Sequence, residues 1–267
     1  MKPCRTGSVF RVLSYALALF AAGSARAQES TNGFAFADFL LAPLRVHLLT
    51  ATNEPAIHTT LTSNDVTRIL GKVNRVWAQA GITFYLESLR IEPTANATNY
   101  LENTKEDERA TLLSLRPKAS LATNCFHVFY LKRIRPNGVY FNAQGIFVKD
   151  TASLRPVEGG LDEPLPRVTS HELGHALTLP HRQEVTNLLA SGMSGGWLNA
   201  AEIRQAREAA KKKAWIQPAP EVLRQAEERD KAGAFVEGRR FWQRLAHLPL
   251  ESDVLRAARR RSGTTGK

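Results

Sequence analysis

Cysteine is scarce: the 267 residues hold 2, Cys4 and Cys125. Cys4 falls in a segment that reads as a removable leader, so the mature chain keeps one thiol and no intramolecular disulfide. Its stability must come from a hydrophobic core, and about 240 residues suffice for one domain of ordinary size plus an appendage. Long apolar runs are missing too. Val12–Ala22 is too short to span a membrane, and nothing later is apolar enough. That run follows Lys2, Arg5 and Arg11 and precedes Ala25-Arg26-Ala27, the basic, apolar and cleavage regions of a secretory signal. Residues 1–27 are therefore expected to be a signal peptide, and the protein to be exported, secreted or periplasmic. Cys4 precedes the apolar run, which argues against a lipid anchor. Residues 28–43 are too few for a folded inhibitory segment and contain no cysteine to cap a metal. No internal repeat is visible, so a solenoid is not supported. No motif for nucleic-acid binding accompanies the basic residues.

Negative charge is short at both ends of the chain and balanced between them. The leader carries 4 basic and no acidic residues and residues 28–200 carry 16 of each, so +4 of the net +11 lies in the leader and +7 after position 200. Lys211-Lys212-Lys213 and Arg259-Arg260-Arg261 dominate that excess. Such a tail suits contact with an anionic surface, although basic runs more often form a solvated face.

What is present is a dense group of histidines. Residues 169–181 read T-S-H-E-L-G-H-A-L-T-L-P-H. On a helix, His171 and His175 share one face a turn apart. Glu172 points roughly 100° away from His171, beside a bound metal rather than on it. His181 follows Pro180, which cannot continue a helix, so the chain can turn and bring a third imidazole back. Three imidazoles leave a fourth zinc position open, the pattern of catalytic rather than structural sites. Water held there loses its proton near neutral pH, and Glu172 would act as general base and then donate to the departing amine. A lone H-E-x-x-H arises by chance; the third histidine at this offset makes the metal site the better reading.

These residues resemble the metzincin zinc peptidases of matrixin or reprolysin type, whose pattern is H-E-x-x-H-x-x-G-x-x-H followed by a methionine-containing turn. The resemblance places His171, His175 and His181 as zinc ligands and Glu172 as the catalytic base. The glycine of the pattern is Thr178 here, a β-branched residue poorly suited to φ > 0. The methionine position is Leu189, with Met193 nearby. More loosely, the likeness runs from about Leu44 to Ala210.

Around the motif, Leu44–Leu49 alternates as a strand, Ser63 to Gly81 has helical spacing, and Ile82–Ile91 is a second strand. This unit implies a parallel pair joined by a right-handed crossover. Residues 92–120 read as loop with one short helix at 106–115. Cys125–Leu131 is apolar enough to be a central strand, and His127 within it reads as a packing histidine. The resemblance gives Val139–Phe141 the place of an antiparallel edge strand above the cleft. A loop from 151 to 166 enters the motif helix, Asn187–Trp197 forms a turn, and Asn199 caps a helix from Ala200 to about Lys213. Trp197 could narrow the substrate pocket or belong to the core. Beyond Ala214, helical sequence carries an apolar stripe of Phe235, Phe241, Trp242 and Leu245 that needs a partner.

The expected fold is α/β, zincin-like: a mostly parallel twisted sheet with one antiparallel edge strand, a zinc-binding helix and a helical C-terminal extension. Residues 28–213 would form the peptidase domain and 214–267 the basic extension. The expected function is a zinc (Zn2+) metalloendopeptidase acting on peptide or protein substrates, without nucleic acid or a membrane span. Three alternatives stay open: a gluzincin-type site with Glu202 as third ligand, a non-peptidase zinc hydrolase, and a zinc-binding, peptide-binding module without turnover.

Overall fold

Thr62 starts the first long helix for a local reason. Its hydroxyl accepts from the Asp65 backbone N–H at 3.3 Å, and the Asp65 carboxylate accepts from the Thr62 N–H at 2.9 Å. This reciprocal cap satisfies donors that a helix N-terminus leaves open. The computed structural model describes residues 33–103 and 108–263; the expected signal peptide lies outside them. In chain order the elements are β1 (Leu40–Thr50), α1 (Ser63–Trp77), β2 (Ile82–Pro93), α2 (Ala97–Asn103), α3 (Glu108–Ser114), β3 (Phe126–Leu131), β4 (Gly138–Phe141) and β5 (Gly145–Lys149). Then follow α4 (Pro164–Ala176), α5 (Ala200–Lys211), β6 (Gln217–Pro218), α6 (Ala219–Lys231), α7 (Phe235–Ala246) and α8 (Asp253–Ser262).

The sheet order is β2-β1-β3-β5-β4, and the two-residue β6 pairs with β1. The β1–β2, β1–β3 and β3–β5 pairs are parallel. β4 runs antiparallel to β5 at the edge, as expected. Alternation along the strands divides the core. On one face Leu44, Val46, Leu48, Val128, Tyr130 and Ile146 meet Val66, Ile69 and Trp77 of α1 and Val168 and Leu173 of α4. On the other, Phe39, Leu41 and Tyr85 lie under α6, α7 and α8, and Leu49, Phe129 and Phe147 lie under Tyr100 and Leu112. Both faces are covered, which is why β1 is almost continuously apolar.

The motif helix starts at Pro164, two residues before the expected end of its approach loop. Lys72 of α1 holds Asp162 at 2.8 Å and Glu163 at 3.0 Å just ahead of it, and proline suits the first turn. Helix α2 was not expected: Tyr100 is its one buried side chain, too little for a periodic signal. In the C-terminal helices Trp242 and Leu245 are buried and Phe241 packs beside them, whereas Phe235 is 66% exposed. Phe235 opens α7 beyond the covered part of the stripe. Arg259 bonds Glu251 at 2.8 Å, and Arg261 bonds Asp230 at 2.7 Å over the Trp242 ring. Two of the three arginines expected to face an anionic surface are thus also tied within the fold. No helix among the described residues is long and apolar enough to cross a membrane.

A polar chain is buried in the sheet. His47 Nδ1 lies 2.5 Å from Glu92 Oε1, His47 Nε2 lies 2.8 Å from His127 Nδ1, and Ala122 N–H donates to His127 Nε2 at 3.1 Å. Donation from Ala122 N–H through both rings to Glu92 keeps both imidazoles neutral, but it leaves Ala122 O, 2.9 Å from His127 Nε2, without a proton from that ring. Burial lowers His47 to about 4 despite the opposing pull of Glu92, and burial also lowers His127. In the unfolded chain these rings take up protons near pH 6.5. Their contribution to stability is therefore present above about pH 6.5 and is lost as pH falls towards about 4, by a few kcal/mol at most. Melting temperatures of His47→Gln and the parent should converge over that window as pH falls. Parallel curves would rule the chain out as a pH-dependent element.

Candidate metal centre

Helix α4 ends at Ala176 in a motif normally built on glycine. Thr178 N–H donates to His175 O and Leu179 N–H donates to Gly174 O, both at 2.9 Å. This is the Schellman pattern, and Thr178 sits at its left-handed position with φ of 69°. The expectation that a β-branched residue would resist φ > 0 is answered by neighbours: Leu177 and Leu179 are buried, and Gln205 Nε2 donates to Thr178 O at 2.6 Å. The local conformation stays costly, on the order of 1–2 kcal/mol. Thr178→Gly is expected to raise the melting temperature by about 2–4 °C, part of the relief being offset by glycine's freedom in the unfolded chain. A lower melting temperature would mean that the Thr178 side chain holds the turn.

The reversal brings the three histidines together. His175 Nε2 stands 3.0 Å from His171 Nε2 and 3.1 Å from His181 Nε2. One ligand atom from each lies within 4.8 Å of the others, a group that could hold a metal ion. His171 Nδ1 lies 2.8 Å from Leu188 O, and His175 Nδ1 lies 2.8 Å from Leu179 O. A carbonyl only accepts, so His175 Nδ1 bears the proton and its Nε2 presents a lone pair, whereas His171 Nδ1 meets both Leu188 O, which only accepts, and Arg167 Nη1 at 3.0 Å, which only donates. With the proton of His171 on Nδ1 as well, two lone pairs face each other at 3.0 Å and repel unless a cation lies between them. Nitrogens 2.0–2.1 Å from a tetrahedral zinc are about 3.3 Å apart, so the donor set fits zinc with small relaxation. Burial, then the neighbouring Arg167 charge, lowers His171 to about 3, and burial lowers His175. Both are neutral at physiological pH, as ligation requires.

Glu172 stands outside that three-histidine group. It is 5% exposed and accepts a backbone hydrogen bond from Tyr140 of β4. A Cβ on Gly138 would lie 2.9 Å from both Glu172 Cγ and Oε1, so only glycine lets the edge strand rest on this carboxylate. Burial pushes Glu172 up to about 8, against the pull of Arg167 and of the Tyr140 N–H. A cation in the histidine cluster would oppose that rise.

The chain after His181 forms the floor. Leu189 is fully buried, and its Cδ1 lies 3.2 Å from the place a Cβ on Gly174 would take, whereas Met193 is half-buried. Leu189, not Met193, packs under the helix. Trp197 is 52% exposed and so is not core.

Glu202 does not join the cluster. Its fully buried carboxylate accepts from Arg182 Nε at 2.6 Å, Asn187 Nδ2 at 2.9 Å and Asn199 N–H at 2.9 Å. It caps α5 and holds the residue next to His181, which places it in the support of the turn rather than at the metal. Sequence reasoning missed Arg167. That side chain is 2% exposed, donates to Gly195 O at 3.0 Å and to Ala190 O, and lies 3.0 Å from His171 Nδ1. A basic residue four positions ahead of His171, on the same helix face, was the available signal.

No protein-family model matches the chain, and no curated protein matches it. Among solved structures it is similar to metalloproteinase-II from Bacteroides fragilis. The identity is 10%, the TM-score 0.37, and the match covers 65% of this chain and 54% of that one. This chain therefore spans about half the length of that structure. At this distance the reading of the site rests on its own side chains.

Proposed function

We propose that the protein is an exported zinc-dependent endopeptidase of metzincin type, with His171, His175 and His181 as ligands and Glu172 as general base. The observation that supports it most is the convergence of three Nε2 atoms, that of His175 left as a lone pair by the Nδ1 bond to Leu179 O. When bound, zinc supplies Lewis acidity that polarises a carbonyl and acidifies water. Glu172 receives the proton of the attacking water and passes it to the departing amine. Among the described residues strand β4 pairs only with β5, so its outer edge can align an extended peptide by main-chain hydrogen bonds. The leader and cleavage-site sequence supports export.

Zinc content and hydrolysis of an unspecific peptide mixture, measured with and without a chelator, test the reading. His181→Ala is expected to weaken zinc binding by roughly 10–100-fold or more and to abolish turnover. A His181 variant that keeps both would remove this residue from the site. Stoichiometric zinc without chelator-sensitive hydrolysis would leave a metal-binding module in place of an enzyme.

A further inference from the structure

One edge of the sheet is open far from β4. β2 ends the strand order and, among the described residues, pairs only with β1. α1 packs on one face beside it and α7 on the other. Between them lies a groove of about 910 Å³, lined by α1, by Tyr85–Ser88 and Arg90 of β2, and by α7 with His247 and Pro249 just after it. At its start the edge already has a strand-like partner: Phe84 N–H donates to Asn74 Oδ1 at 2.8 Å, and Asn74 Nδ2 donates to Phe84 O at 2.9 Å. From Leu86 onward no side chain plays that part among the described residues. Leu86 and Ile91 are 37% and 65% exposed along it.

The groove is basic on both walls. Arg75 comes from α1, Arg90 from β2, and Arg240 and Arg244 from α7. Its one carboxylate, Glu87, is taken by Arg45 through bonds of 2.8 and 3.0 Å. None of Arg75, Arg90 and Arg240 has a carboxylate within ion-pair distance among the described residues. Arg244 lies over the Tyr85 and Phe241 rings, 4.7 Å from each centroid. Basic side chains on a sheet edge can simply discourage pairing. Here, though, they flank a channel with Leu70, Tyr85 and Leu86 in its lining, which gives an incoming strand apolar surface as well as charge.

We propose that this groove binds an extended acidic segment of a protein as an added strand on β2. Side chains of a strand alternate between faces, so those on either face meet a guanidinium. Main-chain bonds to the edge supply affinity, and the arginines supply the preference for carboxylates. A nucleic acid fits less well: Tyr85, the one phenol, phenyl or indole ring in the lining, is 8% exposed beneath Arg244 and is not free for bases to stack on. The proposal does not depend on the peptidase reading.

Fluorescence anisotropy with a fluorescein-labelled peptide alternating Glu and Val tests it, using the full chain at about 0.15 M ionic strength. Saturable binding is expected. The Arg75→Glu, Arg240→Glu double variant should bind about tenfold more weakly or worse, with the melting temperature of the parent. N-methylation of alternate peptide amides, which keeps every charge and blocks main-chain donors, should weaken binding as much; this arm uses the parent protein and is independent of how the variant folds. The proposal fails if the parent shows no saturable binding, if the methylated peptide binds as well as the plain one, or if the double variant keeps full affinity. It also fails if oligothymidylate or heparin of equal charge displaces the peptide as well as the peptide itself does, since the surface would then recognise charge alone.

Discussion

Glu172→Gln is expected to leave zinc content unchanged and to lower peptide hydrolysis by roughly 10²–10⁴-fold. Glutamine keeps the shape of glutamate, so the contact with Gly138 survives, and its amide oxygen can still accept from Tyr140 N–H. All three imidazoles stay in place. What disappears is a group able to take a proton from water and return it to the amine. Metal analysis and hydrolysis should be measured on the same sample, because the two outcomes separate the roles. Full activity would take Glu172 out of catalysis. Loss of metal together with activity would make it a ligand, contrary to its position outside the histidine group. Loss of activity with metal retained is the result the reading requires.

Much of the fold was legible because its signals are local. The Ser63-Asn64-Asp65 start and the spacing of Val66, Ile69 and Val73 announce α1 without reference to the rest of the chain, although the cap itself is Thr62. The apolar runs of β1 and β3 announce central strands. The antiparallel place of β4 was visible only through the family resemblance, since Gly138–Phe141 is half-buried throughout and has no alternation. Element ends were less legible. Strand β1 begins at Leu40, four residues ahead of the expected start, because β2 and the two-residue β6 pair with that extension. Pairing partners more than forty residues away are not written in the strand itself.

The metal centre divides in the same way. The ligands follow from spacing on one helix and one turn, so the sequence is enough to find them. Their supports do not. Arg167 meets Ala190 and Gly195 across 23 and 28 residues, and Glu202 meets Arg182 across 20. Glu202 was read as a possible ligand because a carboxylate on a nearby helix suits metal chemistry. Its three donors saturate it in another role. The φ of Thr178 shows the converse: an unfavourable residue at a position whose geometry is imposed by its surroundings.

Arg167→Met is expected to destabilise the protein by about 3–5 kcal/mol, the range for removing one partner of a buried charged contact. Replacing a buried ion pair with apolar residues is often harmless because both partners go. Here the acceptors are main-chain carbonyls of Ala190 and Gly195, which no substitution removes. Left without a donor, each costs about 1–3 kcal/mol. Burial lowers Arg167 to about 10, opposed by Glu172, so the side chain is still charged at neutral pH and its loss also takes a positive charge from beside His171. With about 2–4 °C per kcal/mol for a chain of this size, the melting temperature should fall by roughly 6–20 °C. A second readout distinguishes a general loss of packing from a role at the site. The segment that Arg167 holds also supplies Leu188 O to His171 Nδ1 and Leu189 to the floor, so zinc affinity should fall about 10–100-fold. Arg167→Lys keeps the charge but cannot reach both carbonyls and His171 with one planar fork, and it should recover only part of either loss. If Arg167→Met binds zinc as the parent does while melting lower, the residue supports the fold alone. If it also melts as the parent does, the buried guanidinium is replaceable and the clamp assigned to it is wrong.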